Sequence, residues 1–334
     1  MPTEKNQPIR WGLLAAGGIA RKFVAGARAL PDAEVCAVAS RTPGKAETFA
    51  RELAVPRSYD SYEALVEDPG IDAVYVAGTH NLHEGATLLA LEAGKPVLCE
   101  KPLAVNAAEV AKMRAKATEK NLFLMEAMWT RYLPAIVQLR EWIAEGRIGT
   151  VRQVIAGFGV PATPESCPRL FDPVLAGGTL LDRGIYPLSF ASMIAGGKAP
   201  EAINSLGTLG PTGVDHEVLI QARYPGDLLA SLETSLSFWS DNTATVVGTA
   251  GKIHLPDLFI CAQEVLLERK GEKIVRAFPE PGEEMFRHQI AEVHRCLRAG
   301  ELESPTMPLA ESELLAAQMD EMRANWGLRY PGEE

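Results

Sequence analysis

Short, wholly apolar runs alternate with stretches of helical periodicity through the first part of the chain. Ile9 to Leu14 reads as a buried strand, Ala15 to Ala20 as a glycine turn, and the residues to about Leu30 as a helix. The pattern repeats with a strand from Glu34 to Ser40, a helix from Lys45 to Leu53, a strand from Ala73 to Val76 and a helix from His80 to Ala93 that stops at Gly94. It then continues with a strand from Pro96 to Cys99, a helix from Ala107 to Lys120, a strand from Leu122 to Met125 and a helix from Leu133 to Glu145. Strands without a polar face, spaced by helices, predict a mostly parallel sheet covered on both sides.

Beyond Gly149 the texture changes. Long β-type runs cover Val151 to Gly157, Ile203 to Leu209, His216 to Tyr224, Leu228 to Phe238 and Ala244 to Val247, with turns at Pro225-Gly226-Asp227 and Ala250-Gly251-Lys252. One helix, Gly178 to Ala195, interrupts them, and two more, near Glu284 to Ala299 and Leu309 to Trp326, close the chain. The expected architecture is an α/β dinucleotide-binding domain over residues 1–128, then an α+β domain over residues 129–334 with an open-faced, mostly antiparallel sheet. The final helices are free to return to the first domain. Leu228 to Phe238 carries apolar residues on both faces: Leu228, Ala230 and Leu232 in one phase, then Leu229, followed by Leu236 and Phe238. Such a face needs cover, and a symmetric partner would supply it, so a homodimer or dimer of dimers through the second sheet is expected.

Composition narrows the function classes. The net charge of -10 over 334 residues argues against sequence-independent nucleic-acid binding, which needs a basic face. The five cysteines are scattered and contain no CxxC, which fits a reducing compartment and predicts neither a disulfide framework nor a zinc site. His288 and His294 are six residues apart, on different faces of a helix, and no HExxH occurs, so no metal is expected. The polar stretch from Met1 to Arg10 shows no apolar leader, and no run is long enough to span a membrane; a cytoplasmic location is the expectation.

The candidate chemistry lies at strand ends. Val97-Leu98-Cys99-Glu100-Lys101-Pro102 delivers a lysine at the carboxyl end of a buried strand, where ligand crevices of open α/β sheets lie. Pro102 restrains the backbone of Lys101, making that lysine the first catalytic candidate. The turn Ala16, Gly17, Gly18, Ile19 and Ala20 would cradle a pyrophosphate at a helix N-terminus, with Ala15 standing where the first glycine of GxGxxG belongs. After the second strand, Ser40 and Arg41 replace the acid that commonly holds an NAD ribose, and Lys45 follows one helical turn on. A hydroxyl and two cations suit a 2′-phosphate, so NADP is favoured over NAD.

Three segments carry a family resemblance. Ala77-Gly78-Thr79-His80-Asn81-Leu82-His83, Ala93 to Pro102 with its AGKxVxxEKP pattern, and Leu180-Leu181-Asp182-Arg183-Gly184-Ile185-Tyr186 resemble the glucose-fructose oxidoreductase/inositol dehydrogenase family. Met125-Glu126-Ala127-Met128-Trp129-Thr130-Arg131-Tyr132 and Pro308 to Glu313 are similar to its dimeric dihydrodiol dehydrogenase branch, which includes NADP-dependent D-xylose dehydrogenases. The resemblance implies a Rossmann domain, an open-faced second sheet, and hydride transfer between a nicotinamide and a carbinol. It further implies that Thr79, His80, Asn81, His83, Glu100, Lys101 and Pro102 meet the cofactor. Lys101, Asp182 and Tyr186 match its catalytic positions, the last a histidine in many members.

On an α-helix the four-residue spacing would put Asp182 and Tyr186 on one face. An alcohol gives a hydride from carbon while a base takes its hydroxyl proton, and either Lys101 or Tyr186 suits that relay. Trp129, Arg131 and Phe158, with Asp182 and Tyr186, are the expected substrate wall for a sugar or cyclic trans-diol. The competing expectation is a non-catalytic NADP-binding sensor on the same fold.

Overall fold

The computed structural model describes residues 7–333; the polar N-terminal residues Met1–Asn6 lie outside them. The chain divides into two units, Met1–Trp129 with Glu280–Glu313, and Thr130–Pro279 with Leu314–Glu334. Part of the closing helical region thus groups with the first unit, the return that the sequence left open.

The first unit is built on a six-stranded parallel sheet. Its strands are β1 (Ile9–Leu14), β2 (Ala33–Ala39), β3 (Arg57–Tyr59), β4 (Ala73–Val76), β5 (Val97–Glu100) and β6 (Leu124–Ala127), in the order β3-β2-β1-β4-β5-β6. Helices α1 (Gly18–Arg28), α2 (Lys45–Glu52), α3 (Tyr62–Val66), α4 (His83–Glu92) and α5 (Ala107–Lys120) connect them. Strands β4, β5 and β6 are buried along their whole length, apolar except for Glu100 in β5 and Glu126 in β6. Because β1, β4 and β5 are parallel neighbours, the glycine turn, the Ala77–His83 stretch and Lys101 emerge together at the carboxyl ends of these strands, beside the point where strand order reverses.

In the second unit, α6 (Pro134–Ala144) leads to β7 (Val151–Gly159), and α7 (Ile185–Ile194) follows a five-residue π-helical turn, Leu180–Gly184. The remaining strands are β8 (Ala202–Leu209), β9 (Asp215–Tyr224), β10 (Leu228–Ser235), β11 (Ala244–Gly248), β12 (Gly251–Leu255), β13 (Glu264–Arg269) and β14 (Glu272–Ala277). They form one sheet in the order β14-β13-β12-β11-β7-β10-β9-β8, antiparallel except where β10 runs parallel to β7. Helices α8 (Arg287–Ala299) and α9 (Leu309–Trp326) close the chain. Among the described residues no helix is long and apolar enough to cross a membrane.

Two expected elements differ. The strand expected to reach Phe238 stops at Ser235, whose hydroxyl accepts the N–H groups of Ser237 and Phe238 and turns the chain. Leu236, counted among the apolar residues in need of cover, is buried against Leu170 and Phe171. The expected helix from Gly178 is not α-helical until Ile185, because the π-helical turn occupies its beginning.

One face of the second sheet is packed and the other open. Val154, Ala156, Val218, Ile220, Ala230 and Leu232 are buried on the first, whereas Ile155, Leu206, Leu219 and Leu229 point outward on the second, 45%, 75%, 52% and 51% exposed. The open face holds a groove of about 750 Å³, lined among others by Ile155, Leu206, Leu219 and Glu233.

Candidate active site

In the first unit the glycine turn passes from β1 into α1. Ala15 takes φ 87°, the left-handed conformation a glycine would adopt more easily, so the turn keeps its shape despite the missing glycine. No side chain caps α1 at Gly17, which leaves its first-turn N–H groups facing outward, as anion binding at a helix N-terminus requires. Beside it a hollow of about 440 Å³ is lined by Ala16, Arg21, Pro43, Gly44, Lys45 and Thr48, with Phe49 beneath. Ile19 and Ala20 form the first turn of the helix, Ala20 buried against the sheet.

Ser40 is buried at the end of β2 and its hydroxyl accepts the Thr42 N–H at 3.2 Å. The Arg41 guanidinium lies 4.9 Å over the Tyr62 ring, a cation–π seat, and does not line the hollow. Arg21, which sequence reasoning passed over, does line it, anchored by an ion pair to Glu52 at 2.5 Å. Its place one turn into α1 was the available signal.

The stretch after β4 is knitted to the stretch after β5. Thr79 donates to Asn81 at 2.7 Å, and His80 packs edge-on to His83. His83 is fully buried, with Nδ1 2.8 Å from the Pro102 carbonyl and Nε2 3.3 Å from that of Gly78. Burial, helped by the neighbouring His80, pushes its pKa down to about 3, so the ring is neutral and only one of its nitrogens carries the donating proton.

The Lys101-Pro102 bond is cis. Glu100 points into the sheet: one carboxylate oxygen accepts the Tyr75 hydroxyl and the other the Lys101 N–H at 3.2 Å. Glu126 on β6 accepts the Leu103 N–H, also at 3.2 Å. Two buried carboxylates therefore fix the backbone on both sides of Lys101. Burial pushes Glu100 up to about 7, against the Tyr75 hydrogen bond and the positive charge of Lys101. Trp129 stacks on Phe286, ring centroids 5.0 Å apart.

In the second unit the Phe158 and Tyr186 rings come together, and Asp182 lies on the helical turn that leads into Tyr186. Phe158 meets Tyr186 edge to face at 5.8 Å, and the Arg183 guanidinium sits 5.7 Å over the Phe158 ring. Arg183 is itself held by the carbonyls of Val160 and Ser235. Asp182 is 8% exposed and receives Arg169, a residue sequence reasoning missed, at 3.0 Å. Nothing local to Arg169 signals this pairing across 13 residues. Arg131, expected on the substrate wall, is 2% exposed; its Nε donates to the Ser189 hydroxyl at 2.9 Å and Nη2 to the Ser189 carbonyl at 2.8 Å. That guanidinium is committed to holding α7.

Comparison with known proteins places this geometry. The profile of the oxidoreductase family with an NAD-binding Rossmann fold matches residues 9–128, and that of the GFO/IDH/MocA C-terminal domain matches residues 136–254. The chain belongs to the GFO/IDH/MocA oxidoreductase family. It is 42% identical over 333 residues to the trans-1,2-dihydrobenzene-1,2-diol dehydrogenase of Sus scrofa, covering 97% of this chain and 98% of that protein. The Homo sapiens protein of the same name is 42% identical over 335 residues, with the same coverage. Among solved structures, a 3-ketoreductase from Actinomadura kijaniata in complex with NADP and TDP-benzene superposes with a TM-score of 0.82 at 27% identity, over 95% of this chain and 98% of that one. Levoglucosan dehydrogenase in complex with NADH and levoglucosan shares the fold, with a TM-score of 0.86 at 22% identity, over 96% and 98% of the two chains. As a member of this family the chain is an NAD(P)-dependent oxidoreductase.

Proposed function

We propose that the protein is an NADP(H)-dependent dehydrogenase that oxidises a trans-diol of the dihydrobenzenediol type, or a cyclic sugar of like shape, at one carbinol. The observation that carries this reading is the Phe158–Tyr186 ring pair, with Asp182 on the turn that leads into Tyr186, in a chain 42% identical along nearly its whole length to proteins named for that diol. An aromatic ring beside a phenol, with a carboxylate on the same helical segment, suits a flat, partly apolar ring bearing adjacent hydroxyls. The rival reading, a non-catalytic sensor, gains nothing from relatives named as dehydrogenases.

The residues present fit a dinucleotide. The N–H groups opening α1 would take the pyrophosphate, while Lys45 and Arg21, which line the hollow beside it, would meet a 2′-phosphate; Ser40 and Arg41 do not line that hollow, and Arg41 would join them by leaving the Tyr62 ring. The stretch Thr79 to His83 and the Glu100-Lys101-Pro102 turn would border the nicotinamide end. When bound, the nicotinamide accepts a hydride from the carbinol carbon. Asp182 would accept a hydrogen bond from a substrate hydroxyl and so orient the diol. Tyr186 or Lys101 would take the departing hydroxyl proton, and the Lys101 ammonium would stabilise alkoxide-like charge. Loss of hydride and proton leaves a hydroxy-ketone; where the ring is a cyclohexadiene, enolisation makes it a catechol. Trp129 and Phe158 would supply apolar wall, with Arg131 supporting α7 from behind.

The open face of the second sheet favours a homodimer, or a dimer of dimers, in which one copy covers the Ile155, Leu206, Leu219 and Leu229 patch of another. Five free cysteines accord with a cytoplasmic site of action. The test is a turnover screen of the purified protein with NADP and NAD against trans-1,2-dihydrobenzene-1,2-diol, aldoses and inosose-type ketones. Turnover of the diol or of a cyclic sugar with NADP supports the proposal; turnover of none of them contradicts it.

A further inference from the structure

The helical turn that bears Asp182 and Tyr186 begins on a buried clamp. Asp215, the first residue of β9, is fully buried, and one of its carboxylate oxygens accepts the Leu180 N–H at 2.6 Å. The other oxygen faces Gly178, whose φ of 108° and lack of a side chain let the carboxylate approach; a Cβ there would collide with it. One residue earlier, the Gly177 carbonyl accepts the hydroxyl of Tyr330.

Tyr330 comes from the segment after α9 and is held in turn. Its N–H donates to the Glu333 carboxylate at 2.8 Å, and its ring lies 4.7 Å under the Arg323 guanidinium. Arg323 pairs with Glu333 and with Asp320, each at 2.6 Å. On the other flank the Thr179 and Thr234 hydroxyls meet at 2.7 Å, and Thr234 donates to the Phe158 carbonyl at 3.0 Å, tying the start of the turn to the ring that packs on Tyr186.

Burying a carboxylate is costly, and burial pushes Asp215 up to about 6 against the Leu180 hydrogen bond and the Arg323 charge. What this burial supports is the backbone from which the reactive side chains project. We propose that Asp215 and Tyr330 are positioning residues for the reaction: they pin Gly177 to Leu180 from two sides and so fix where Asp182 and Tyr186 stand, without themselves meeting substrate or cofactor. The inference rests on the reading that Asp182 and Tyr186 act in catalysis.

The test compares full-length Asp215→Ala, Asp215→Asn and Tyr330→Phe with the wild type, using trans-1,2-dihydrobenzene-1,2-diol and NADP, NADPH fluorescence titration and hydrogen exchange of the 178–186 backbone. Asp215→Ala and Tyr330→Phe should each lower kcat by about tenfold, with KM changed less than about threefold, because misplacing a reactive group penalises the transition state more than binding. NADPH affinity should hold and exchange over 178–186 should rise. Asp215→Asn should recover most of kcat, since an amide oxygen still accepts the Leu180 N–H. Unchanged kcat and exchange in both Asp215→Ala and Tyr330→Phe would overturn the proposal. So would an Asp215→Asn no better than Asp215→Ala with NADPH binding lost alongside, which marks a fold-wide role. If Asp215→Ala does not fold, Tyr330→Phe carries the same test. A Tyr186→Phe control separates the two claims: if it keeps turnover, the proton relay passes to Lys101 alone and this inference, which rests on Tyr186 acting, falls, whereas if it loses turnover and the clamp variants do not, only the clamp falls.

Discussion

Phe158 stands edge-on to Tyr186, ring centroids 5.8 Å apart and planes at 78°. This leaves the phenol ring with a fixed neighbour on one side, as a group that must meet a substrate proton in one orientation requires. Tyr186→Phe keeps the ring contact and removes only the hydroxyl. It should lower kcat by ~10² to 10⁴-fold, the usual range for general acid–base catalysis, with NADPH affinity within about twofold of wild type. Steady-state kinetics and a fluorescence titration check this; near-wild-type turnover would assign the proton relay to Lys101 alone.

Cofactor choice should depend on Lys45, and on Arg41 once it leaves the Tyr62 ring for the phosphate. Replacing either by alanine should weaken NADPH about tenfold, since a charge-assisted hydrogen bond contributes roughly 1.5–3 kcal/mol, and leave NADH nearly unchanged. Arg21→Ala should act in the same direction, because Arg21 lines the same hollow as Lys45. Parallel titrations with both dinucleotides decide it, and an equal loss for NADH and NADPH would remove the 2′-phosphate from the explanation.

Glu100 gives a pH prediction. Its folded-state pKa of about 7 lies above the ordinary carboxyl value of ~4.3, so its contribution to stability is complete at low pH and is lost as pH rises through about 7. Glu100→Gln cannot ionise. Relative to wild type it should therefore gain stability as pH rises from 5 to about 7, and the gain should level off above that. Denaturation midpoints at matched pH read the difference, and a constant offset across the range would contradict it.

The open sheet face predicts assembly. Light scattering should give a multiple of the single-chain mass that persists in high salt, because the patch around Leu206 and Leu219 is apolar. Leu219→Glu should shift the mass to that of one chain while the far-ultraviolet circular dichroism stays the same. A wild-type protein with the mass of one chain would refute the dimer.

Much of this fold was legible because the central strands have no polar face to confuse the period. The bounds of Ala73–Val76, Ala107–Lys120 and Leu309–Trp326 coincide with the elements found. The segment around Asp182 was not legible in the same way. A period of 3.6 assumes regular α-helix, whereas Leu180–Gly184 is a π-helical turn, and the contacts at and just before its start, with Asp215 and Tyr330, come from 35 and 153 residues away. Strands β13 and β14 went unread because their alternation is broken by charge, as in Glu264, Glu268, Arg269 and Lys273. For the site, motif residues located the chemistry but not the direction of each side chain. Arg131 turns to Ser189 and Arg41 to Tyr62, Arg21 enters the hollow from one turn into α1, and Arg169 reaches a position that no local pattern marks.

The most direct measurement is the initial rate of nicotinamide reduction by the wild-type protein with trans-1,2-dihydrobenzene-1,2-diol, NADP against NAD, alongside Lys101→Ala. The account predicts steady turnover with NADP, a lower kcat/KM with NAD, and a loss of ~10²-fold or more in Lys101→Ala. Wild-type turnover that prefers NAD, or a Lys101→Ala variant as fast as wild type, would contradict it.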